Sequence, residues 1–284
     1  MPVKPTIAIS ADKGIPKSKL DQLAKQTELP LLTPRLDTDY LLHITTEYLE
    51  LQKGHKEGMC ASTSLSRTAL SNKKQRSKPS KAESIHVDFI GGKANHRRLH
   101  GGGKGQDIAK AIGLHKIENP TVLDLTAGMG SDAFVLATLG AEVTMVERNP
   151  IVHALLKDAL ERINLSADSD LQEILSRLTL KNSDSLETLN KLHEDERPDV
   201  IYLDPMFPTR SKSAQVKKEM QFFHDIVGQD IDSETLLLKA LHLAKKRIVV
   251  KRPRLAEQLT DKVHPDFTIT GKSTRYDVYL PKAD

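Results

Sequence analysis

The five-residue segment 204–208, D-P-M-F-P, holds the residues of this sequence whose chemistry is easiest to recognise. It directly follows the apolar run at residues 200–203, so we expect it at the end of a buried strand. The carboxylate of Asp204 and the carbonyl of Pro205 can accept hydrogen bonds from both N–H groups of an aromatic amine, whose delocalised lone pair makes it a weak nucleophile. Holding that amine in one orientation supplies much of the catalysis, and Phe207 offers a face on which its ring can stack. The segment therefore predicts a site that orients an exocyclic amino group.

A second group of residues, Asp124, Gly128 and Gly130, has the spacing D-x-x-x-G-x-G between an apolar run and a helical pattern. Glycines at the end of a strand let the chain turn beneath a cofactor. Glu147 follows the loop by about twenty residues, where an acidic side chain can accept hydrogen bonds from ribose hydroxyls. Ala133 falls where a dinucleotide fingerprint has its third glycine, so this loop alone also permits a nicotinamide-binding oxidoreductase.

The two motifs together favour S-adenosylmethionine as the cofactor. Methyltransferases that act on exocyclic amines place a [DNS]-P-P-[YFW] segment at this strand end, and here Met206 is the departure. Such transfer needs no metal and no covalent intermediate, and nothing after the segment suggests nicotinamide contacts. Asp184 and Ser185 follow the third strand, where this fold commonly contacts the adenine ring. Either side chain could instead cap the next helix.

The elements that must position these residues form an alternating β/α pattern from residue 121 onward. The last two strands lack a helix between them, which suits an antiparallel hairpin at one edge of the sheet. The pattern predicts an α/β fold with a Rossmann-like, seven-stranded class I methyltransferase sheet. The seven strands are expected at residues 121–125, 141–146, 178–181, 199–203, 247–250, 267–270 and 277–280.

Charge and composition suggest a second, smaller part of the chain. Residues 1–110 contain 19 lysines and arginines against 11 acidic residues, whereas the remainder contains 23 against 27. We expect a small N-terminal α/β subdomain at residues 1–84, with a basic flexible segment at 53–81, and a methyltransferase domain at 85–284. The basic surplus indicates an anionic partner such as nucleic acid.

Several classes of protein are disfavoured by what the sequence lacks. No apolar run approaches the roughly 20 residues that a membrane span requires, and the first ten residues do not form a signal-peptide pattern. The one cysteine, Cys60, can form neither an internal disulfide nor a zinc knuckle. We therefore expect a cytoplasmic protein with no membrane association and no metal site. The oligomeric state is not determined by the sequence.

Basic residues near the glycines suggest where RNA phosphate could bind. The stretch at 91–105 interleaves glycines with lysine and arginine, and a second basic pair follows the fifth predicted strand. Glycines permit close backbone approach to a ligand, and the cations supply charge. The expected RNA contacts are Lys93, Arg97, Arg98, Lys104, Lys251 and Arg252.

The motifs taken together resemble the RsmJ family of bacterial small-subunit ribosomal RNA guanine-N(2) methyltransferases. The resemblance covers residues 85–280, including D-x-T-A-G-x-G, E-R-N-P, Y-L-D-P-M-F-P, K-S-A-x-V-K-K-E-M and V-V-K-R-P. It implies methylation of a guanine amino group in 16S ribosomal RNA or the small ribosomal subunit. It also implies cofactor contacts at Ser131, Asp132, Glu147, Arg148, Asp184, Ser185 and Asp204.

Two further function classes remain open. One is an amino methyltransferase acting on DNA adenine or a protein glutamine side chain, against which Asp204 argues because that motif more often begins with asparagine. The other is a non-catalytic ribosomal-RNA-binding assembly factor, against which the intact glycine loop and Glu147 argue.

Overall fold

The computed structural model describes residues 5–33, 36–54, 84–206, 226–227 and 232–281. The chain divides into two compact units, Met1–His86 and Val87–Asp284. The domain boundary expected from the sequence lies two residues before this division. No helix within the described ranges is both long enough and apolar enough to cross a membrane.

The described residues of the first unit form a four-stranded sheet and one helix. Its strands lie in the order β1-β2-β3-β4, with β1 and β2 parallel and the other pairs antiparallel. Helix α1 lies between the two parallel strands in the sequence, and its residue Leu23 is buried. The elements are β1 (Ile7–Ala11), α1 (Lys17–Thr27), β2 (Tyr40–Ile44), β3 (Leu49–Lys53) and β4 (Ser84–Ile85).

The second unit is built on a seven-stranded sheet in the order β10-β11-β9-β8-β5-β6-β7. Strands β9, β8, β5, β6 and β7 form parallel pairs, and β11 is antiparallel to both β9 and β10. The strands are β5 (Thr121–Asp124), β6 (Glu142–Glu147), β7 (Leu178–Asn182), β8 (Val200–Leu203), β9 (Arg247–Pro253), β10 (Phe267–Thr270) and β11 (Thr274–Tyr279). The predicted seven-stranded α/β fold and its edge hairpin are confirmed.

Helix α5 begins where the sequence carries a clear capping signal. Asn149 caps α5 by accepting hydrogen bonds from the N–H groups of Ile151 and Val152, and Pro150 occupies the first helical position. Apolar side chains recur on one face of α5 and pack into the core. The helices are α2 (Lys93–His100), α3 (Asp107–Ile112), α4 (Ser131–Thr138), α5 (Pro150–Asn164), α6 (Ser169–Ser176), α7 (Ser185–Asn190) and α8 (Ser233–Ala240).

Candidate active site

An open cleft of about 510 Å³ lies at the carboxyl ends of β5, β6 and β8. In an open α/β sheet this is the edge at which ligands bind. Its lining combines one carboxylate-rich side with an apolar side. The described lining residues are Leu125, Thr126, Gly128, Val146, Glu147, Arg148, Ser185, Asp204, Met206, Val227, Asp232 and Leu236.

The glycine loop between β5 and α4 forms one wall of this cleft. Gly128 and Gly130 have φ angles of +52° and +66°, a region that side-chain-bearing residues rarely adopt. A Cβ atom on Gly130 would stand 2.7 Å from Cδ1 of Leu156, so that position also has no room for a side chain. The loop therefore needs glycine at both positions, as the motif predicted.

Glu147, the last residue of β6, lines the cleft. It is buried, its Oε2 accepts a hydrogen bond from the N–H of Gly128 (3.0 Å), and its Oε1 accepts one from the N–H of Asn149 (2.7 Å). The carboxylate thus ties the end of β6 to the glycine loop. A carboxylate in this place is suited to accept hydrogen bonds from ribose hydroxyls.

Asp124 lies beneath the loop at the end of β5 and is only 2% exposed. Its Oδ1 accepts a hydrogen bond from the N–H of Thr126 (3.0 Å). Burial raises the pKa of this carboxyl to about 7; the charges of Asp132 and Asp204 add to the rise, while the Thr126 hydrogen bond and Lys251 oppose it. Asp124 does not line the cleft, so its predicted cofactor contact is at most indirect.

The raised pKa of Asp124 predicts a specific pH dependence of stability. Between its unfolded value of about 3.9 and about 7 the folded protein keeps a proton that the unfolded chain loses, so the free energy of unfolding falls as pH rises. Asp124→Asn keeps the Oδ1 acceptor and removes the titration. We expect this variant to gain stability over the wild type as pH rises from 4.5 to 8 in urea unfolding, by up to about 1.4 kcal/mol per pH unit.

The exposed Asp170, whose side chain is 79% accessible, supplies the control for this titration. Asp170→Asn removes a carboxylate at an exposed surface position and is measured beside the wild type and Asp124→Asn. Parallel curves for Asp124→Asn and the wild type would contradict the prediction.

Asp204 begins the D-P-M-F-P segment where β8 ends, directly beside the glycine loop. Its backbone N–H donates to Oγ1 of Thr126 (2.6 Å), which joins the two sequence motifs through one hydroxyl. Oδ2 of its carboxylate lies 2.7 Å from Nζ of Lys251. Thr126 was not predicted as a site residue, although a hydroxyl inside the D-x-T-A-G motif was visible in the sequence. Pro205 follows and is buried.

Asp132, near the start of α4, is the centre of a buried ionic network. Its Oδ1 accepts from Nη1 of Arg97 (2.8 Å), and its Oδ2 accepts from Nζ of Lys251 and from the hydroxyl of Tyr202, each at 2.7 Å. Burial alone would raise the pKa of Asp132, but Lys251, Arg97 and Tyr202 together lower it to about 2. Asp132 and Asp204 raise the pKa of Lys251 in turn, against the effect of burial, so the lysine stays charged.

This network gives Asp132 partners within the protein, and its cofactor contact remains a prediction. The side chain is directed to Arg97 and Lys251, and Asp132 is absent from the described lining of the cleft. Ser131, its neighbour, is exposed at the first position of α4 and likewise does not line the cleft. Tyr202 was also missed by the sequence reasoning, although a tyrosine in the apolar run V-I-Y-L signals a hydroxyl that needs a buried partner.

The residues expected near an adenine ring have structural partners. Oδ1 of Asp184 accepts from the N–H groups of Leu186 (2.8 Å) and Glu187 (3.1 Å), so its side chain caps α7. Ser185 donates its hydroxyl to the carbonyl of Leu125 (2.6 Å). Their cofactor contacts remain predictions, and Ser185 does line the cleft.

Arg148 extends over the same side of the cleft. Its Nη1 lies 2.9 Å from Oδ2 of Asp232 and 3.8 Å from Oδ2 of Asp184. Asp232 was not predicted as a site residue; its position just before α8 is the available sequence signal. The two ion pairs hold the guanidinium of Arg148 beside the cleft. Its contact with the cofactor remains a prediction.

Four expected RNA contacts are engaged within the protein instead. Arg97 binds Asp132 and donates from Nε to Oε1 of Gln106 (2.9 Å). The guanidinium of Arg98 lies 3.8 Å from Asp168 and 3.9 Å from Asp170. These acids neutralise the two arginines of α2, so neither is positioned as a bare cation for phosphate.

The basic pair of β9 also has partners within the protein. Lys251 and Arg252 are consecutive strand residues and therefore face opposite sides of the sheet. Lys251 binds Asp132 and Asp204, whereas Arg252 is 5% exposed and donates to the carbonyl of Glu257. The RNA contacts of both residues remain predictions.

Other expected contacts are exposed or lie outside the described residues. Lys104 is exposed in the short 3₁₀ turn Gly103–Gly105 and remains a predicted RNA contact. The backbone of Lys93 begins α2, but its side chain is outside the described part of the structure. Phe207, Pro208 and residues 55–81 of the basic segment also lie outside it.

The known proteins that this chain resembles are methyltransferases. A family model described as "Putative SAM-dependent methyltransferase" matches residues 45–281. The ribosomal RNA small subunit methyltransferase J of Chromobacterium violaceum is 43% identical over 264 residues, covering 92% of each chain. Its namesake from Hydrogenovibrio crunogenus is 52% identical over 202 residues, covering 70% of this chain and 71% of the relative. The crystal structure of a SAM-dependent methyltransferase from Neisseria gonorrhoeae matches with a TM-score of 0.69 and 32% identity, covering 98% of each chain.

Proposed function

The chain belongs to the family of SAM-dependent methyltransferases that includes the ribosomal RNA small subunit methyltransferases J, and from this membership we propose its reaction. It transfers a methyl group from S-adenosylmethionine to the exocyclic N2 amino group of a guanine in 16S ribosomal RNA. The substrate is RNA of the small ribosomal subunit, and the cytoplasm is the compartment in which the protein acts.

The observation that carries this proposal is the placement of the Asp204 carboxylate. It stands at the carboxyl end of β8, on the rim of the cleft that the glycine loop and Glu147 enclose. The hydrogen bond from its backbone to Thr126 fixes the distance between the two motifs. An amino group bound at Asp204 is therefore adjacent to whatever the cleft contains.

The cleft has the donor set that S-adenosylmethionine needs. Glu147 would accept hydrogen bonds from the ribose hydroxyls, and the Gly128 turn permits close approach of the backbone. Arg148 and Ser185 would border the adenine end, where Leu125, Val146 and Leu236 provide apolar contact. When bound, the cofactor supplies an electrophilic methyl group on a sulfonium sulfur.

The part played by the protein in the reaction is chiefly orientation of the amine. An acceptor at Asp204 binds an N–H group of the guanine and turns the nitrogen lone pair toward the cleft. Guanine carries a hydrogen at N1 beside its N2 amino group, so one carboxylate can accept from both, whereas adenine has none at N1. The pairing of a carboxylate with this edge supports guanine over adenine as the target base.

Contacts with the RNA backbone are proposed for basic residues in the first third of the sequence. Lys104 lies on the glycine-rich turn before α3 and is accessible to phosphate. Lys93 and the basic residues of 53–81 supply further positive charge in the same third of the sequence. Phosphate contacts of this kind give salt-dependent affinity and position the RNA without selecting its sequence.

Mass mapping of ribosomal RNA tests the proposal directly. Cells without the gene should lack one N2-methylguanine in 16S ribosomal RNA, and purified protein with labelled S-adenosylmethionine should restore it on small-subunit RNA or on subunits from those cells. Methyl label found in DNA or in a protein glutamine, with unchanged ribosomal RNA, would favour the amino methyltransferase alternative. Unchanged RNA with no label transfer, together with a subunit-assembly defect, would favour the assembly factor.

A further inference from the structure

The proposed reaction assigns no role to Lys251. It lies on β9, the neighbour of β8, and its Nζ is 2.7 Å from Oδ2 of Asp132 on one side and 2.7 Å from Oδ2 of Asp204 on the other. Three-quarters of the side chain is buried. An ammonium that is bound at equal distance by two carboxylates is held in place more firmly than a surface ion pair.

Asp132 is itself fixed from two further directions. Arg97 of α2 binds its Oδ1, and the hydroxyl of Tyr202 of β8 binds its Oδ2. Neither Tyr202 nor Asp132 can move far, because both are buried in the sheet and the α4 interface. The chain of contacts from Arg97 through Asp132 to Lys251 therefore ends at the carboxylate on the rim of the cleft.

We propose that Lys251 is a positioning residue for methyl transfer, whose ammonium fixes the orientation and the charge of the Asp204 carboxylate while Asp132 holds the ammonium in place. This inference rests on the proposed function, because Lys251 acts through Asp204. The terminal torsion of an aspartate is broad and roughly two-fold, so a lone carboxylate at a strand end would sample many orientations. A fixed cation at one oxygen restricts that torsion before the substrate arrives.

The charges around Asp204 explain why a cation is needed there. Asp132 of α4 and Asp124 of β5 both act on this carboxylate, and Tyr202 of β8 and Tyr276 of β11 face the same network. Lys251 and Arg97 are the cations of this described group. Without Lys251, two ionised aspartates would lie near each other in a partly buried site, and protonation of one of them would be favoured.

Single-turnover methylation of 16S ribosomal RNA, measured from pH 5.5 to 9, tests the inference. Lys251→Met should reduce the rate on the order of 100-fold at neutral pH, with an acidic limb that lies at higher pH than in the wild type. Lys251→Arg keeps the positive charge and should recover at least about a tenth of the wild-type rate. Asp132→Asn, which loosens the anchor, should fall between the two.

RNA binding separates this role from a phosphate contact. If Lys251 positions Asp204, the salt dependence of RNA affinity is the same in Lys251→Met and the wild type. If Lys251 binds phosphate, the salt slope becomes shallower by about one unit and the pH profile of the bound rate is unchanged, which would overturn the inference.

A matched control lies at the other end of the same strand. Lys246 precedes β9 and pairs with Asp199 at 3.1 Å, with 48% of its side chain exposed. Lys246→Met should leave the rate, its pH profile and the RNA affinity unchanged. Thermal melting checks that each variant is folded; if Lys251→Met is not, Lys251→Gln takes its place.

A measurement without substrate keeps this inference distinct from the proposed function. Carboxyl-carbon NMR of the ligand-free protein, with the Asp204 signal assigned by its loss in Asp204→Asn, follows the titration of that group. We expect its midpoint to rise by at least about one pH unit in Lys251→Met and to stay near the wild-type value in Lys251→Arg. A midpoint unchanged by Lys251→Met overturns the positioning role, whether or not the wild type methylates 16S ribosomal RNA; failure of that methylation alone rejects the proposed function.

Discussion

Asp204→Ala is expected to lower the single-turnover rate of methyl transfer by a hundredfold or more while the protein remains folded and binds RNA. The carboxylate is the acceptor that orients the amine, and loss of one such preorganised group costs on the order of 3 kcal/mol in the barrier. Affinity for S-adenosylhomocysteine should change little, because Glu147 and the Gly128 turn, which would hold its ribose, are left unchanged. The measurement is rapid mixing of preformed enzyme–RNA complex with labelled cofactor.

Asp204→Asn separates the acceptor from the charge. The amide keeps one acceptor oxygen at the same position and loses the ion pair with Lys251. We expect partial activity, between the alanine variant and the wild type. A near-wild-type rate for the alanine variant, with melting that shows a folded protein, would remove Asp204 from the mechanism.

Asp132→Ala should produce the largest loss of stability of any single change in this site, about 3 to 5 kcal/mol. Asp132 is 9% exposed and binds Arg97, Lys251 and Tyr202 at 2.7 to 2.8 Å. Its removal leaves the partly exposed Arg97, the largely buried Lys251 and the buried hydroxyl of Tyr202 without their shared acceptor. Urea unfolding at pH 7 gives the free energy directly.

The pH dependence of this effect has a defined sign. The folded pKa of Asp132 is lowered to about 2, below an unfolded value of about 3.9, so its ionised form stabilises the fold above pH 4 and that contribution is lost as pH falls toward 2. The difference between wild type and Asp132→Ala should therefore shrink across this window. A constant difference would show that packing rather than charge is what the substitution removes.

Two matched variants set the scale for Asp132. Tyr202→Phe removes only the hydroxyl that donates to Asp132 and should cost about 1 to 2 kcal/mol. Asp170→Ala removes an exposed acid that lies 3.9 Å from Arg98, and an exposed pair contributes at most about 1 kcal/mol. Equal losses for Asp132→Ala and Asp170→Ala would contradict the buried-network interpretation.

The positions of the strands along the chain and the ends of the cofactor loop could be predicted from the sequence because both depend on local patterns. Segments of four to six residues rich in apolar and β-branched side chains located all seven strands of the sheet. Parallel strands place their carboxyl ends at one edge, so Gly128, Glu147 and Asp204 were expected at one site. The cleft they line confirms that grouping.

The partners of the charged side chains could not be predicted in the same way. Arg97 and Asp132 are 35 residues apart, and Asp132 and Lys251 are 119 apart. The charge pattern suggested RNA contacts for Arg97, Lys251 and Arg252. A sequence does not show whether a basic side chain pairs with RNA phosphate or with an acidic residue elsewhere in the protein. The sequence left Asp184 compatible with a cofactor contact and with a helix cap. The structure shows the cap, through hydrogen bonds from the N–H groups of Leu186 and Glu187.

The sequence by itself determined the fold class, the glycine loop, the acid at Glu147 and the position of Asp204, since each is encoded by residue type at a fixed distance from a strand end. Only the tertiary structure decided that Lys251 faces Asp204 while Arg252 faces Glu257. That outcome depends on β9 lying beside β8 and on which face of the sheet α4 covers. Long-range packing sets both, and it brings Asp132 close enough to hold the lysine in place.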